Sequence, residues 1–279
     1  MNRIITLFLV ANLFGKVSMA QTSTDKIVLK KDQKLMANIT SSGTVSMQMM
    51  GQDLETISES SLSSTLQVSD VNTSGYSLTN TINKMKLKLK GGMTPAMDFD
   101  SDKKEDMESE TGKTIKDKLK PIEEEITFTG KAVEKKDGAA NEDIQKVMQS
   151  IMSGSGDEGI TGFFMLLPSG KKVGDTWSDS SNKKGIKISN TYLLKQINGN
   201  EATVIINTIS NIDKTVQAQG ADLTITMDSK IISENTIDIT NGIVKEKKMT
   251  VEGKGNLGAG GQDIPMKTKV TATINVKSI

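Results

Sequence analysis

The chain has no histidine and no cysteine in its 279 residues. That removes the commonest general base and the commonest metal ligand. It also removes zinc sites, thiol nucleophiles and Ser–His pairs. Carboxylates, hydroxyls, lysines and thioethers are left. "DFDSDKKEDMESE" sets Asp98, Asp100 and Asp102 at alternate positions, the spacing by which calcium loops turn carboxylates inward. Counting from Asp98, the sixth position is Lys103 where that loop needs Gly, and the twelfth is Ser109 where it needs Glu. The three carboxylates are weak candidates for an irregular metal site. A solvated loop whose lysines offset its acids is the preferred reading, so no metal and no cofactor are expected.

Ser-x-x-Lys strings occur, among them Ser101–Lys104, Ser169–Lys172 and Ser181–Lys184. A Ser–Lys acylase also carries Ser-Asp-Asn and Lys-Thr-Gly, and neither is present. "GKGNLG", Gly253 to Gly258, matches a dinucleotide fingerprint in its glycines alone. The chain continues "AGGQDIP", which cannot open the helix that would aim amides at a pyrophosphate. A glycine-rich hairpin end is the better reading. No catalytic motif is complete, and the expectation is a protein that is not an enzyme.

"MQMM" brings Met47, Met49 and Met50 together. Thioethers bind Cu(I), but they also fill irregular cores and adapt to varied apolar partners. Met47 and Met49 are therefore candidates to line an apolar ligand site. The single tryptophan, in "LLPSGKKVGDTWSDS", follows an apolar run and two turns. Trp177 is read as a packing anchor, with contact to an apolar ligand as the alternative.

These residues need elements to hold them. Runs of Thr, Ile, Val and Ser with period-two stretches, bounded by Gly, Asn and Asp, predict a mainly β chain. "NG" at Asn198–Gly199 and Asn241–Gly242 suits two-residue primed turns. In "IVKEKKMTVEG" the alternation is imperfect, because Lys245 and Lys247 share the parity of Ile243, Met249 and Val251. One face there is expected to carry lysine stems. "MMGQDL" and "AGGQDI" each read as the tip of a long hairpin, with apolar residues on even positions after it: Leu54, Leu62, Leu66 and Val68, then Ile264, Met266, Val270, Ile274 and Val276.

One segment breaks the β pattern. Ile144, Val147, Met148 and Ile151 fall on one helical face. A helix over 141–152 is expected to pack on the concave face of the sheet. A weaker helical candidate runs through "ESETGKTIKDKLK" to Pro121. "SGSGDEG" then separates two halves, about 21–152 and 160–279, that share little beyond their Gly-Gln-Asp tips. The fold expected is a set of long antiparallel strands in a curved sheet or half-barrel, with one or two helices packed on it.

"MNR", the 11-residue apolar run "IITLFLVANLF" and the small residues of "SMA" form a secretory signal, with cleavage between Ala20 and Gln21. The apolar run is too short to span a bilayer of about 30 Å. No cysteine follows the cut to take a lipid, and no later run is long enough to cross. The mature chain 21–279 is expected to be periplasmic or secreted, soluble and not lipid-anchored. Losing Arg3 and Lys16 leaves 33 basic against 34 acidic residues, from 35 and 34. A near-neutral chain with few aromatics has no footprint for nucleic acid.

"DFDSDKKED" and "LLPSGKKVGDTW" on an exported β-rich chain resemble a family of exported bacterial proteins classed as a domain of unknown function. The resemblance rests mainly on the Leu-Pro, Val-Gly-Asp and Trp residues. It implies a Gram-negative envelope location and brings no activity and no site residues. The expectation for function is a non-catalytic periplasmic binding or carrier module for an apolar small molecule or lipid. The alternative is a structural or interaction component of the envelope that docks on another protein through strand edges. An enzyme using carboxylates comes third.

Overall fold

The computed structural model describes residues 23–49, 51–92, 96–116, 119–133, 159–183, 185–218, 221–259 and 262–279. The leader with Ala20 and Gln21, and the expected helix over 141–152, lie outside the described residues. The first half supplies β1 (Lys34–Met49), β2 (Gln52–Val71), β3 (Gly75–Gly91), β4 (Met97–Asp100) and β5 (Ile122–Thr127). The second supplies β6 (Thr176–Lys183), β7 (Ile186–Asn198), β8 (Glu201–Ala218), β9 (Ala221–Asp238), β10 (Ile243–Ala259) and β11 (Gln262–Ser278). They build one open antiparallel sheet in the order β4-β3-β2-β1-β11-β10-β9-β8-β7-β6, with β5 beside β4 on the same edge of β3. Two short helices, α1 (Lys104–Glu108) and α2 (Glu110–Lys116), follow β4. α2 falls within the weaker helical candidate, and α1 precedes it, sharing only Glu108.

The mainly β expectation holds. β2 runs for 20 residues, about 65 Å at the rise of an extended chain. Within that run Ser, Thr, Leu, Ile and Val recur with no Gly or Pro to break the strand. The two halves meet where β1 pairs with β11, from Leu35↔Ser278 to Met47↔Met266. Both Gly-Gln-Asp strings sit at hairpin tips, where Met49 pairs with Gln52 and Ala259 with Gln262. We call this end of the sheet the tip and the opposite end the base.

"GKGNLG" lies wholly inside β10, so its glycines serve the sheet. A Cβ on Gly255 would run into the carbonyl oxygen of Thr226 on β9. Glycine is what leaves room for that carbonyl. The "NG" turns differ in detail from expectation. Asn198 pairs with Glu201, so the turn residues are Gly199 and Asn200, and only Gly199 has positive φ, at 57°. That is the pattern of a II′ turn, in which glycine leads. The second is a longer turn, closed by Gly242 N donating to Asp238 O at 2.7 Å.

The base carries the main core. Ile27, Leu29, Leu35, Leu66, Val68, Tyr76, Leu78 and Ile126 pack with Ile160 and Phe163 from a 3-10 turn at Gly159–Phe163, and with Phe164 just after it. The segment before β1 runs beneath the sheet. Its Ile27 N donates to Phe128 O at 2.7 Å and its Val28 N to Asn241 O at 3.0 Å, linking the end of β5 to the β9–β10 turn. The Tyr76 hydroxyl locks it there, donating to Ile27 O at 2.8 Å and accepting from Leu29 N at 3.2 Å. Gly242 has φ 78°, and a Cβ there would lie 2.6 Å from Ile27 Cδ1. A second basal cluster joins Leu167, Leu194, Ala202, Val204, Ile237, Ile239 and Val244.

Candidate functional site on the inner face

Strand alternation sends each long strand's two parities to opposite faces. On β11, Met266, Thr268, Val270, Ala272 and Val276 are buried, while Lys267, Lys269 and Thr271 are exposed. The same face of β9 takes Ile225, Met227, Ser233, Asn235 and Ile237. This buried side is the inner face. The outer face is mostly Thr, Ser, Asn, Lys and acids, with Ile57, Ile209 and Ile232 exposed singly.

Side chains in register form rows across the inner face. Near the tip, one row runs Ile186, Ile212, Met227, Gly255, Met266, Met47, Leu54 from β7 to β2. Ile186, Ile212, Met227, Met266 and Met47 of this row, with Val45, Ile225, Leu223 and Leu257, make an apolar cluster separate from the two basal ones. Met227 and Met266 are buried, whereas Met47, Ile186, Leu223 and Leu257 are half-buried at its rim. The next row toward the base is Ile188, Ser210, Ser229, Gly253, Thr268, Val45, Thr56. It carries small hydroxyl side chains at Ser210, Ser229, Thr268 and Thr56, with Gly253 and Val45 between them. Ser210 and Thr268 are buried, and Thr268 Oγ1 has no hydrogen-bond partner.

Closer to the base, Asn235 and Lys247 lie side by side on β9 and β10. Both are buried, and Asn235 Oδ1 is unpartnered while its Nδ2 contacts Met165 Sδ at 3.7 Å. The β10 strand enters through a bulge between Val244 and Glu246. The extra residue changes parity. Lys245 is turned out to pair with Glu201 at 2.9 Å, and Lys247 is turned in. The expected lysine-lined face is therefore split between the two faces. Glu201 beside it holds the Lys245 ammonium above its ordinary pKa.

The sequence candidates do not converge. Met47 belongs to the tip cluster, and Met49 ends β1 one row beyond it. Trp177 is on β6, packed against the second basal cluster. Its ring is stacked on Tyr192, with centroids 5.2 Å apart, and Lys171 Nζ sits over it at 5.3 Å. Beside this stack, Asp179 accepts from Asn190 Nδ2 and Tyr192 Oη, each at 2.8 Å, and Thr208 Oγ1 donates to Asn190 Oδ1 at 2.7 Å. Trp177 is thus placed as an anchor of the β6 edge.

The alternating aspartates each face a lysine of β3. Asp100 pairs with Lys86 at 2.7 Å, Asp102 with Lys84, and Asp98 lies opposite Lys88 in the ladder. The hydrogen bond from Lys86 holds the Asp100 carboxyl below its usual value, and Asp100 raises Lys86. No group of three or more acidic side chains able to hold a metal occurs among the described residues. The inner hydroxyl row and Met227 were missed from sequence, whereas Met47 was named there. Their one signal was parity: Thr268 lies on the even positions already read as apolar.

No protein-family model matches the chain, and no curated protein matches its sequence. Two solved structures align along most of it. One is the COG4313 outer membrane channel from Pseudomonas putida F1, at 8% identity, covering 91% of this chain and 98% of the channel with a TM-score of 0.25. The other is Pseudomonas aeruginosa OpdQ, at 8% identity, covering 90% and 100% with a TM-score of 0.23. Superpositions this loose establish neither a shared fold nor an activity. No helix among the described residues is long and apolar enough to cross a membrane.

Proposed function

We propose that this is a non-catalytic binding or carrier module of a bacterial envelope, and that it holds an apolar ligand on the inner face of its sheet. The observation that carries the reading is the tip cluster. It is a methionine-bearing apolar cluster distinct from both basal ones, bordered on its basal side by Ser210, Ser229 and Thr268, with half-buried side chains at its rim. Met adapts its shape to unlike apolar partners, which suits reversible uptake better than a packed core. The outer face supports a water-soluble protein. Lys248, Glu252 and Lys254 on β10, and Lys267 and Lys269 on β11, stand where a membrane barrel needs an apolar band.

Native mass spectrometry of the mature protein, purified gently from its envelope fraction, tests the reading. Bound lipid should appear as discrete mass additions. A clean unliganded mass from several expression hosts would overturn it. The second reading, a docking component of the envelope, has one observation in its favour: β6 pairs only with β7 among the described residues and presents an unpaired edge. Its charged and polar sequence "TWSDSSNK" is of the kind that blunts edges.

A further inference from the structure

Gly253 sits in the middle of the hydroxyl row, and its missing side chain is what lets the row close. A Cβ there would lie 2.8 Å from Ser229 Oγ, 2.8 Å from Thr268 Cγ2 and 3.0 Å from Met227 Sδ. Three side chains from β9 and β11 thus gather over one bare stretch of β10. Ser210 flanks Ser229 on β8. Thr268 is 5% exposed, and its Oγ1 has no partner. A hydroxyl buried without a hydrogen bond costs free energy that a sheet of Thr and Val could avoid by placing Val there. The site therefore carries an unused donor and acceptor beside an apolar surface.

The structure assigns this row, we infer, to the polar head of an acyl ligand: an uncharged ester or hydroxyl group. Its hydrocarbon chain lies on Met227, Met266, Met47 and Ile212 toward the tip. Hydroxyls can both donate to an ester carbonyl and accept from a glycerol hydroxyl. No lysine or acid lies in this row, so a neutral head is matched better than an ion. The inference rests on the carrier reading and names its ligand class.

The test compares 1-monoolein, which has such a head, with 1-octadecene, which has none. Both are titrated against the full mature protein and Thr268→Val by native mass spectrometry. The wild type should prefer monoolein, and Thr268→Val should weaken monoolein about tenfold, the scale of one lost hydrogen bond at a buried site, with octadecene unchanged. Ser210→Ala should act in the same direction. The denaturation midpoint of ligand-free Thr268→Val should stay level or rise, because the variant removes an unpartnered hydroxyl. Equal monoolein binding by wild type and Thr268→Val would overturn the head-group site and leave the carrier reading standing. A lowered midpoint would show that the hydroxyl holds the fold, and would overturn it too. Failure of the wild type to bind either probe would overturn the carrier reading itself.

Discussion

Trp177 and Tyr192 lie face to face across β6 and β7, with ring centroids 5.2 Å apart and planes 2° from parallel. They are directly opposed in the ladder, so the stack fixes the register of an edge strand that has a partner on one side only among the described residues. Offset or stacked aromatic pairs contribute beyond the area they bury. A double-mutant cycle of Trp177→Leu and Tyr192→Leu should give a coupling of about 1 kcal/mol in urea unfolding. Additive effects would show that the pair is merely adjacent. Trp177 emission should respond little to a ligand at the tip, since the ring packs with the basal cluster.

The segment beneath the base depends on one hydroxyl. Tyr76 Oη both donates to Ile27 O and accepts from Leu29 N. Tyr76→Phe keeps the ring in place and leaves two buried backbone groups unpaired. Stability should fall by about 2–3 kcal/mol, read as a lower urea midpoint. Hydrogen exchange of Ile27 and Leu29 should quicken by the same factor. An unchanged midpoint would mean that the segment is held by packing alone.

Gly242 closes the β9–β10 turn with positive φ and abuts Ile27. Gly242→Ala meets both a left-handed backbone and a steric contact, and should cost about 2 kcal/mol or more. Gly51→Ala at the tip, where φ is also positive but nothing lies within 4 Å, should cost about 1 kcal/mol. Equal losses at the two sites would argue that the basal contact has room to relax.

Asp100 and Lys86 predict a pH dependence with a definite sign. Asp100 titrates below the ordinary carboxyl value of 3.8 when folded, chiefly through the Lys86 hydrogen bond. Its stabilising contribution is present above 3.8 and is lost as pH falls through the lower folded value. Lys86 is raised above 10.5, so its contribution is full below 10.5 and is lost as pH rises through the higher folded value. Asp100→Asn should therefore lower the thermal midpoint at neutral pH by a small amount, and the gap to wild type should close on acidification below 3.8. Added calcium should leave the midpoint of both proteins unchanged. A calcium-dependent rise in the wild type alone would revive the aspartates as a metal site.

Much of the fold was legible because strands write their pattern locally. The even-position apolar residues after each Gly-Gln-Asp string face inward, as read from sequence, and both strings lie at hairpin tips. The "GKGNLG" glycines lie within a strand, in keeping with a chain that could not start a helix there. The lysine parity of β10 was not legible. One inserted residue at the bulge after Val244 reverses the face of everything behind it, and no local propensity marks where a ladder will slip.

The sequence by itself determined the chemistry at hand, the β class and the two-faced strands, since composition and period-two alternation are properties of neighbours along the chain. Tertiary structure alone decided which residues share a place. Met47 meets Met266 and Met227 because β1 pairs with β11 and the sheet continues to β9. Ser229 and Thr268 meet over Gly253 although nearly forty positions separate them in the chain. The physical reason is register. Pairing between distant strands is set by the summed burial of whole faces, and no short stretch of sequence contains that sum.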